Sequence, residues 1–455
     1  MAWMWAAVSV IVLIYLLQDL LSPTKKKRLP PGPRGLPILG HLHLLGKNPH
    51  QDLYHLAQKH GPIMGLRFGS VPAVVVSSPA GAELVLKTHD LFFANRPRIE
   101  ASKYIWYEQK NLVFGQYGPY WRNMRKLCTL ELLSTRRINQ FGAMRKVELE
   151  LLVSSLKRAA EMREIVDLSA RVSGLIGDMN CLIFREEGMN QKMKNLSKTF
   201  DRFLEKIIDD HVKNKQEKKQ TKDFVDTMME IMESGKAEFQ FDRRHVKAVL
   251  LDLFIAGMDT STTAIEWALS ELIRHPQLMK KLQEELETVV GMDQMVEESH
   301  LHRLEYLDFV VKETLRLHPV GPLLIPHESM EDCVIDSYHV PKGSRVIVNV
   351  WAIGRDPNVW PEPEVFKPER FIGSNIDLRG HDFQLLPFGS GRRSCPGLQL
   401  ALTMVQLVIA QLVHCFDWQL PNGMQPSDLD MSEHFGLVVA RAKHIVAIPS
   451  YRLHK

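Results

Sequence analysis

Cysteine is scarce in this chain of 455 residues. There are five (Cys128, Cys181, Cys333, Cys395 and Cys415), odd in number and widely scattered, with no CxxC pair. That pattern argues against a disulfide scaffold or a structural zinc site and points to a reducing compartment. Net charge is nearly absent as well: 57 Lys and Arg stand against 53 Asp and Glu, a formal +4. No overall basic field is therefore available to hold nucleic acid, and any electrostatic function must come from local clusters. Internal repeats and low-complexity blocks are missing. With 45% hydrophobic and 24% charged residues, the composition excludes a disordered or fibrous protein. What remains is a chain long enough for two or three domains, or for one large domain whose core encloses a sizeable ligand.

The one long uncharged run is N-terminal. Met1–Leu17 carries no charge, and continued to Leu21 it is about long enough to cross a bilayer. Lys25-Lys26-Lys27-Arg28 follows at once, which by the positive-inside rule keeps the rest of the chain in the cytosol. Nothing basic precedes the run and no small-residue cleavage site closes it, so a retained anchor is expected over residues 1–21. The proline-rich stretch Leu29–Pro37 can enter neither a helix nor a sheet interior. Residues 22–37 are thus expected to be a basic flank and stiff hinge, and residues 38–455 a single globular domain.

Within that domain, Ile63–Ser78 alternates and turns at Gly69-Ser70, the pattern of a β-hairpin. From Ala80 to about His318 the periodicity is helical almost throughout, as in Met144–Leu156. Asp242 to His275 is expected to be one long helix stopped by Pro276, and Leu304–Leu317 another stopped by Pro319. Strand-like pieces return at Val334–Val340 and Arg345–Trp351, and Leu398–Phe416 closes with an amphipathic helix. The expected fold class is mainly α with a small β region, α+β.

Chemistry concentrates in four places. Pro387–Gly397 (PFGSGRRSCPG) is a glycine-rich loop with Cys395 placed just before Pro396, which suits the first position of the following helix. A helix N-terminus would lower the pKa of Cys395, and such a thiolate is a soft, strong ligand for iron. Arg393 beside it could neutralise a carboxylate on a cofactor. A lone cysteine is equally often a buried structural residue, so local physics leaves both readings open. In the long helix, Ala256-Gly257-Met258-Asp259-Thr260-Ser261-Thr262-Thr263 puts glycine, hydroxyls and an acid between two apolar helical flanks. These are poor helix-interior residues, and such a conflict marks either a functional site or a kink with satisfied hydroxyls. Glu313 and Arg316 share a helix face at i, i+3, a spacing most often seen in solvated surface pairs. Trp121 and Arg125 share another at i, i+4.

In order along the chain, Trp121-x-x-x-Arg125, Ala256–Thr260, Glu313-x-x-Arg316, Pro368-Glu369-Arg370-Phe371 and Phe388-x-x-Gly391-x-Arg393-x-Cys395-x-Gly397 resemble the motifs of the cytochrome P-450 family. The likeness runs from the proline hinge to Phe435-Gly436-Leu437 and is nearest to plant microsomal members of the A-type branch. It implies the cytochrome P-450 fold and haem b held by Cys395 as the axial thiolate, with Phe388, Gly391, Arg393 and Gly397 shaping the cysteine loop. A c-type haem is excluded by the absence of CxxCH. It further implies that Trp121, Arg125 and His327 meet the haem propionates. Thr260 would hydrogen-bond dioxygen and hold a water while Asp259 feeds protons. Glu313, Arg316 and Arg370 would form a buried network under the haem loop, structural and not catalytic.

The implied function is a monooxygenase of the endoplasmic reticulum membrane, single-pass, with its catalytic domain cytosolic. Electrons would come from NADPH through NADPH–cytochrome P-450 reductase, docked on a basic face made by Arg122, Arg125, Lys126 and Arg392. One oxygen atom would enter a small lipophilic substrate, a phenolic, biphenyl or terpenoid plant metabolite. Segments Arg98–Phe114, Leu253–Thr260, Val320–Leu324 and Phe435–Leu437 would line the pocket. The chain departs from the family between Phe184 and Met189, where relatives carry about forty to fifty more residues, including a helix that roofs the pocket. Two rival readings follow: a haem-binding remnant with impaired or no turnover, and a reductase-independent haem-thiolate isomerase or dehydratase. The intact Asp259–Thr260 pair argues against the latter.

Overall fold

In the computed structural model, residues 28–99, 106–183, 196–213, 223–235 and 239–454 are described. The anchor expected at 1–21 and the shortened connection at Phe184–Met189 lie outside them.

The expected hairpin is present. β1 (Ile63–Phe68) and β2 (Val71–Val76) pair antiparallel with Phe68 opposite Val71, so Gly69-Ser70 is a two-residue turn, and Gly69 takes φ +63° there. Two more strands, β3 (His327–Glu328) and β4 (Arg345–Val348), complete a four-stranded sheet ordered β1-β2-β4-β3, with β2 and β4 parallel. The strand expected over Arg345–Trp351 is shorter: it ends at Val348, where the Asn349 side chain caps a helical turn at Val350–Ile353. The piece expected at Val334–Val340 is a hairpin, Cys333–Ile335 against Tyr338–Val340, turned at Asp336-Ser337 with both residues at positive φ.

The proline-rich stretch expected to be a spacer is docked on this sheet. Gly65 donates its N–H to the Pro31 carbonyl at 2.8 Å and His339 to that of Arg28 at 2.7 Å. Leu36, Ile38, Leu39 and Leu42, which follow, remain exposed.

Val446–Tyr451 pairs with Val166–Asp167 and Phe416–Gln419 in a second sheet, Glu433–His434 pairs with Ala440–Arg441, and helices make up most of the rest. α1 (Pro119–Leu127) has Pro at its first turn. α2 (Gly142–Met162) and α3 (Leu168–Ile183) pack side by side, and α3 lies along α4 (Arg243–Arg274). α4 begins at a capping box between Asp242 and His245 and stops at His275, where Pro276 opens the next helix. α5 (Glu305–Leu317) and α6 (Leu398–Cys415) both pack on α4. Among the described residues two helices, α4 and α6, are long and apolar enough to cross a membrane, but most of each apolar stretch is buried in the protein core. A central cluster built from α2, α3, α4, α5 and α6 forms the main core, which includes Leu149, Ile176, Ile265, Leu269, Leu307 and Val408. α4 is buried on both sides of its middle; only around Ala256 and Asp259 does it open to exposure. That opening locates the site.

Candidate functional site

Cys395 sits at the end of a loop that glycine makes possible. Gly391 has φ +68°, and a Cβ there would lie 2.1 Å from the Leu86 carbonyl oxygen, so neither the angle nor the space admits another residue. Gly397, in contrast, has φ −89° and is the N-cap of α6. Pro396 therefore precedes the helix and does not occupy its first position, a correction to the sequence expectation. Cys395 donates its own N–H to the Phe388 carbonyl at 2.9 Å, which fixes the loop across its width, and the Phe388 ring packs on the main core. The side chain of Cys395 is exposed, yet the surrounding protein removes enough water to push its thiol pKa up. The Gly397 N–H and Arg125 pull the other way and are outweighed. The lowered pKa expected from the helix end is thus overturned for the bare thiol. Exposure combined with desolvation describes a thiol at the floor of a concavity; a bound cation would reverse the balance, since a coordinating thiol is deprotonated outright.

Beside it stands a group of cations without an acid. Arg393 donates to three backbone carbonyls, Ala94 at 2.7 Å, Leu112 at 3.2 Å and Gly115 at 2.6 Å, and its guanidinium lies 3.9 Å from the centre of the Trp121 ring. Trp121 also gives its indole N–H to Leu112, at 2.9 Å. Arg125, on the same face of α1, reaches Ser394 Oγ at 3.3 Å and lies near enough to Cys395 for each to shift the other's pKa. Arg96 is 5% exposed, bonds the Ile325 and Pro326 carbonyls, and leaves its Nε with no partner. Burial pushes the pKa of all three arginines down, and neighbouring guanidinium charge adds to this for Arg96 and Arg393. None of the three pairs with a carboxylate among the described residues. His327 completes the group from strand β3. It is buried, hydrogen-bonds the Phe93 carbonyl through Nδ1 at 2.7 Å, and is held well below its usual pKa by burial, Arg96 and Arg393. Burial and the two guanidinium groups favour the neutral imidazole, which offers a hydrogen bond and no charge.

Such an arrangement is costly unless an anion completes it, because buried cations need counter-charge. The donor set fits haem on two counts: an accessible, recessed thiol for the iron and convergent guanidinium groups for carboxylates at the ring edge.

The middle turn of α4 stays helical throughout. Thr260 donates its hydroxyl to the Ala256 carbonyl one turn back, the local bond expected of a mid-helix threonine. Asp259 is exposed, yet partial desolvation pushes its pKa up. Like Cys395 it is accessible and recessed together. Ser261 and Thr263 are buried and face away into the packing.

The Glu313 network is closed. Glu313 and Arg316 are fully or almost fully buried, with Arg316 Nε to Oε2 and Nη2 to Oε1 both at 2.8 Å. Arg370 Nε donates to Oε1 at 2.9 Å, and the Lys367 N–H to the same oxygen at 2.8 Å. The remaining guanidinium hydrogens reach the carbonyls of Gly354, Pro361, Glu362, Pro363 and Val365, knitting the segment before the cysteine loop to α5.

The basic face is only partly as expected. Arg122, Lys126 and Arg392 are exposed, but Arg125 is turned inward and Arg392 pairs with Asp90 at 3.1 Å. Two residues escaped the sequence reading. Arg96 lies in Asn95-Arg96-Pro97-Arg98, where a charge reads as solvated. Asp252 lies in Leu250-Leu251-Asp252-Leu253-Phe254, and an acid in the middle of an apolar helical run was a visible signal.

Comparison with known proteins identifies what this arrangement resembles. The family model for cytochrome P-450 matches residues 30–187 and 164–447, two pieces that overlap over the whole of α3. A cytochrome P-450 from Panax ginseng, CYP736A12, is 51% identical over 478 aligned positions, covering 95% of this chain and 96% of the relative. Those positions outnumber the 455 residues of the chain, so part of the relative has no counterpart here. Cytochrome P-450 71AP13 from Prunus mume is 39% identical, covering 96% and 94%. A norfluorocurarine oxidase from a Strychnos species is also 39% identical, covering 93% of each. Among solved structures, a zebrafish cytochrome P-450 with abiraterone superposes with a TM-score of 0.79 at 27% identity, covering 90% of this chain and all of that one.

Proposed function

The chain belongs to the cytochrome P-450 family and is a haem monooxygenase, and from that premise we propose that it hydroxylates a small lipophilic plant metabolite on a cytosolic face of the endoplasmic reticulum membrane. When bound, haem with an axial thiolate supplies the oxygen-activating chemistry. In this reading Cys395 holds the iron. Arg96, Arg125, Arg393 and the neutral His327 hold the propionates, and Trp121 stiffens Arg393 by stacking. Thr260 is the hydroxyl that turns from the Ala256 carbonyl toward the reacting oxygen, and Asp259, with its raised pKa, is the acid that passes it protons. The Glu313–Arg316–Arg370 network keeps the cysteine loop in register. The observation that carries this assignment is the exposed, recessed Cys395 thiol beside three arginines that have no acid partner among the described residues.

Electrons from NADPH through a reductase belong to the same proposal, with exposed Arg122 and Lys126 as docking cations. Exposed Leu36, Ile38, Leu39 and Leu42, directly after the expected anchor, support a membrane-facing side. The pocket segments in the described chain are largely apolar and suit phenolic, biphenyl or terpenoid guests.

Full-length protein, reduced and exposed to carbon monoxide, should give the absorption band of a thiolate-ligated haem, and Cys395→Ala should lose it completely. A Cys395→Ala protein with an unchanged band overturns the assignment. Thr260→Ala should keep the band while NADPH consumption uncouples from product and appears as peroxide; unchanged coupling removes Thr260 from the relay. A second reading has its own observation, the alignment longer than the chain. If the connection after α3 is too short to roof the pocket, haem binds but substrate is poorly oriented and turnover is weak. A thiolate band without reductase-dependent product would favour that reading.

A further inference from the structure

Asp252 is 5% exposed in the first half of α4, and among the described residues no cation pairs with it. Its carboxylate instead accepts from three donors of one loop: Asn111 Nδ2 at 2.8 Å, the Leu112 N–H at 2.7 Å and the Val113 N–H at 3.1 Å. The same loop carries the carbonyls that hold Arg393. Leu112 accepts from both Trp121 and Arg393, and Gly115 from Arg393 alone. The loop is tight, since a Cβ on Gly115 would lie 2.3 Å from the Asn111 carbonyl oxygen and 3.1 Å from the Trp121 ring. We propose that Asp252 is a positioning residue: by gripping the backbone at 111–113 it fixes the carbonyls that aim Arg393, and so holds the guanidinium at the haem edge. This rests on the haem assignment above and deepens it.

The physical argument is one of substitution. A guanidinium with a carboxylate partner is oriented by that partner. Arg393 has none among the described residues, and its direction is set by three carbonyls, two of them on the loop that Asp252 grips. Buried Leu112 and Phe114 anchor this loop in the core, and the three bonds to the Asp252 carboxylate fix the direction of its polar backbone at 111–113. Burial without a cation raises the Asp252 pKa to about 7, a cost that structure alone would not require if a neutral residue served equally well. Asp252 also lies seven residues before Asp259 on α4, roughly 10 Å along the axis. One helix thereby registers the haem-edge cation and the proposed proton-relay groups against each other.

The test uses full-length holoprotein carrying Asp252→Ala or Asp252→Asn. Three measurements are made: the carbon monoxide band, amide hydrogen exchange over 111–115, and the rate of haem transfer to apomyoglobin. Asp252→Ala should keep the thiolate band while amide exchange at Leu112 and Val113 and haem transfer each rise about tenfold, a conservative reading of three buried donors left unpaired. Asp252→Asn, whose amide oxygen still accepts one bond, should fall between; if the alanine variant does not fold, the asparagine variant decides by the same readouts. Faster loop exchange with haem transfer unchanged would mean that Asp252 braces the loop and nothing more, and overturns the proposal, as would wild-type values for both. A wild type lacking the thiolate band would instead overturn the assignment of Cys395, an outcome distinct from either.

Discussion

Two clusters of arginine lie within this fold, and they are built on opposite principles. Around Glu313, two guanidinium groups share one buried carboxylate, and five carbonyls and an N–H satisfy what is left. Around Arg393, three guanidinium groups and a neutral histidine converge with no carboxylate among the described residues, and one Nε has no partner among them. The first is complete within the chain and needs nothing from outside. The second is complete only when an anion arrives. Buried charge that is satisfied reads as architecture, and buried charge left open reads as a site, even though both are made of the same side chain.

The comparison can be broken most severely at Glu313. Replacing it with alanine turns the closed cluster into an open one with two cations facing each other in the core, at a cost of about 3–5 kcal/mol. The expected outcome is loss of folded, haem-containing protein, measured as the yield of the thiolate carbon monoxide band against total protein. A normal yield would show that the network is dispensable. Glu313→Gln, which keeps the shape and one acceptor oxygen, should lose less.

A substitution in the open cluster should act with the opposite sign on the two forms of the protein. Arg125→Leu removes a half-buried cation that meets like charge, so the haem-free protein should be no less stable in urea than wild type. Haem retention should nevertheless fall by about 10- to 100-fold, the worth of a hydrogen bond to a charged group. Equal losses of stability in both forms would place Arg125 with Glu313 among the structural residues and erase the distinction between the clusters.

How much of this was legible beforehand differs between the clusters for a physical reason. The long helix α4, the hairpin at Gly69-Ser70 and helix α6 follow from periodicity and punctuation, which are local. Glu313 and Arg316 are local too, at i, i+3, but nothing in their spacing says that they are buried; that came only from resemblance to a family. Arg96 was missed because its environment is assembled from Phe93–Pro97, Ile325–Pro326 and Arg393, segments far apart in sequence. The pKa of Cys395 was misjudged in direction because a helix end can be read from sequence whereas desolvation cannot. The surroundings of His327 were hidden for the same reason, its burial and two arginine neighbours being products of the fold. Asp252 is the instructive omission: an acid alone in an apolar helical run advertised a buried partner without naming it.

The smallest effect is the most discriminating. Inorganic pyrophosphate offers two anionic ends, as the haem edge does, and can enter the open cluster but finds no vacancy near Glu313. Added to the haem-free protein at a concentration near its Kd, an anion of this kind stabilises by about 0.4 kcal/mol. For a chain of this size that is on the order of 1 °C or less in Tm. Chloride at matched ionic strength gives the control, since screening alone acts on every exposed pair. The increment should vanish in Arg125→Leu and should be absent from holoprotein, where the propionates already occupy the guanidinium groups. A pyrophosphate effect that survived either change would belong to some other surface, and the open cluster would lose its standing as an anion site.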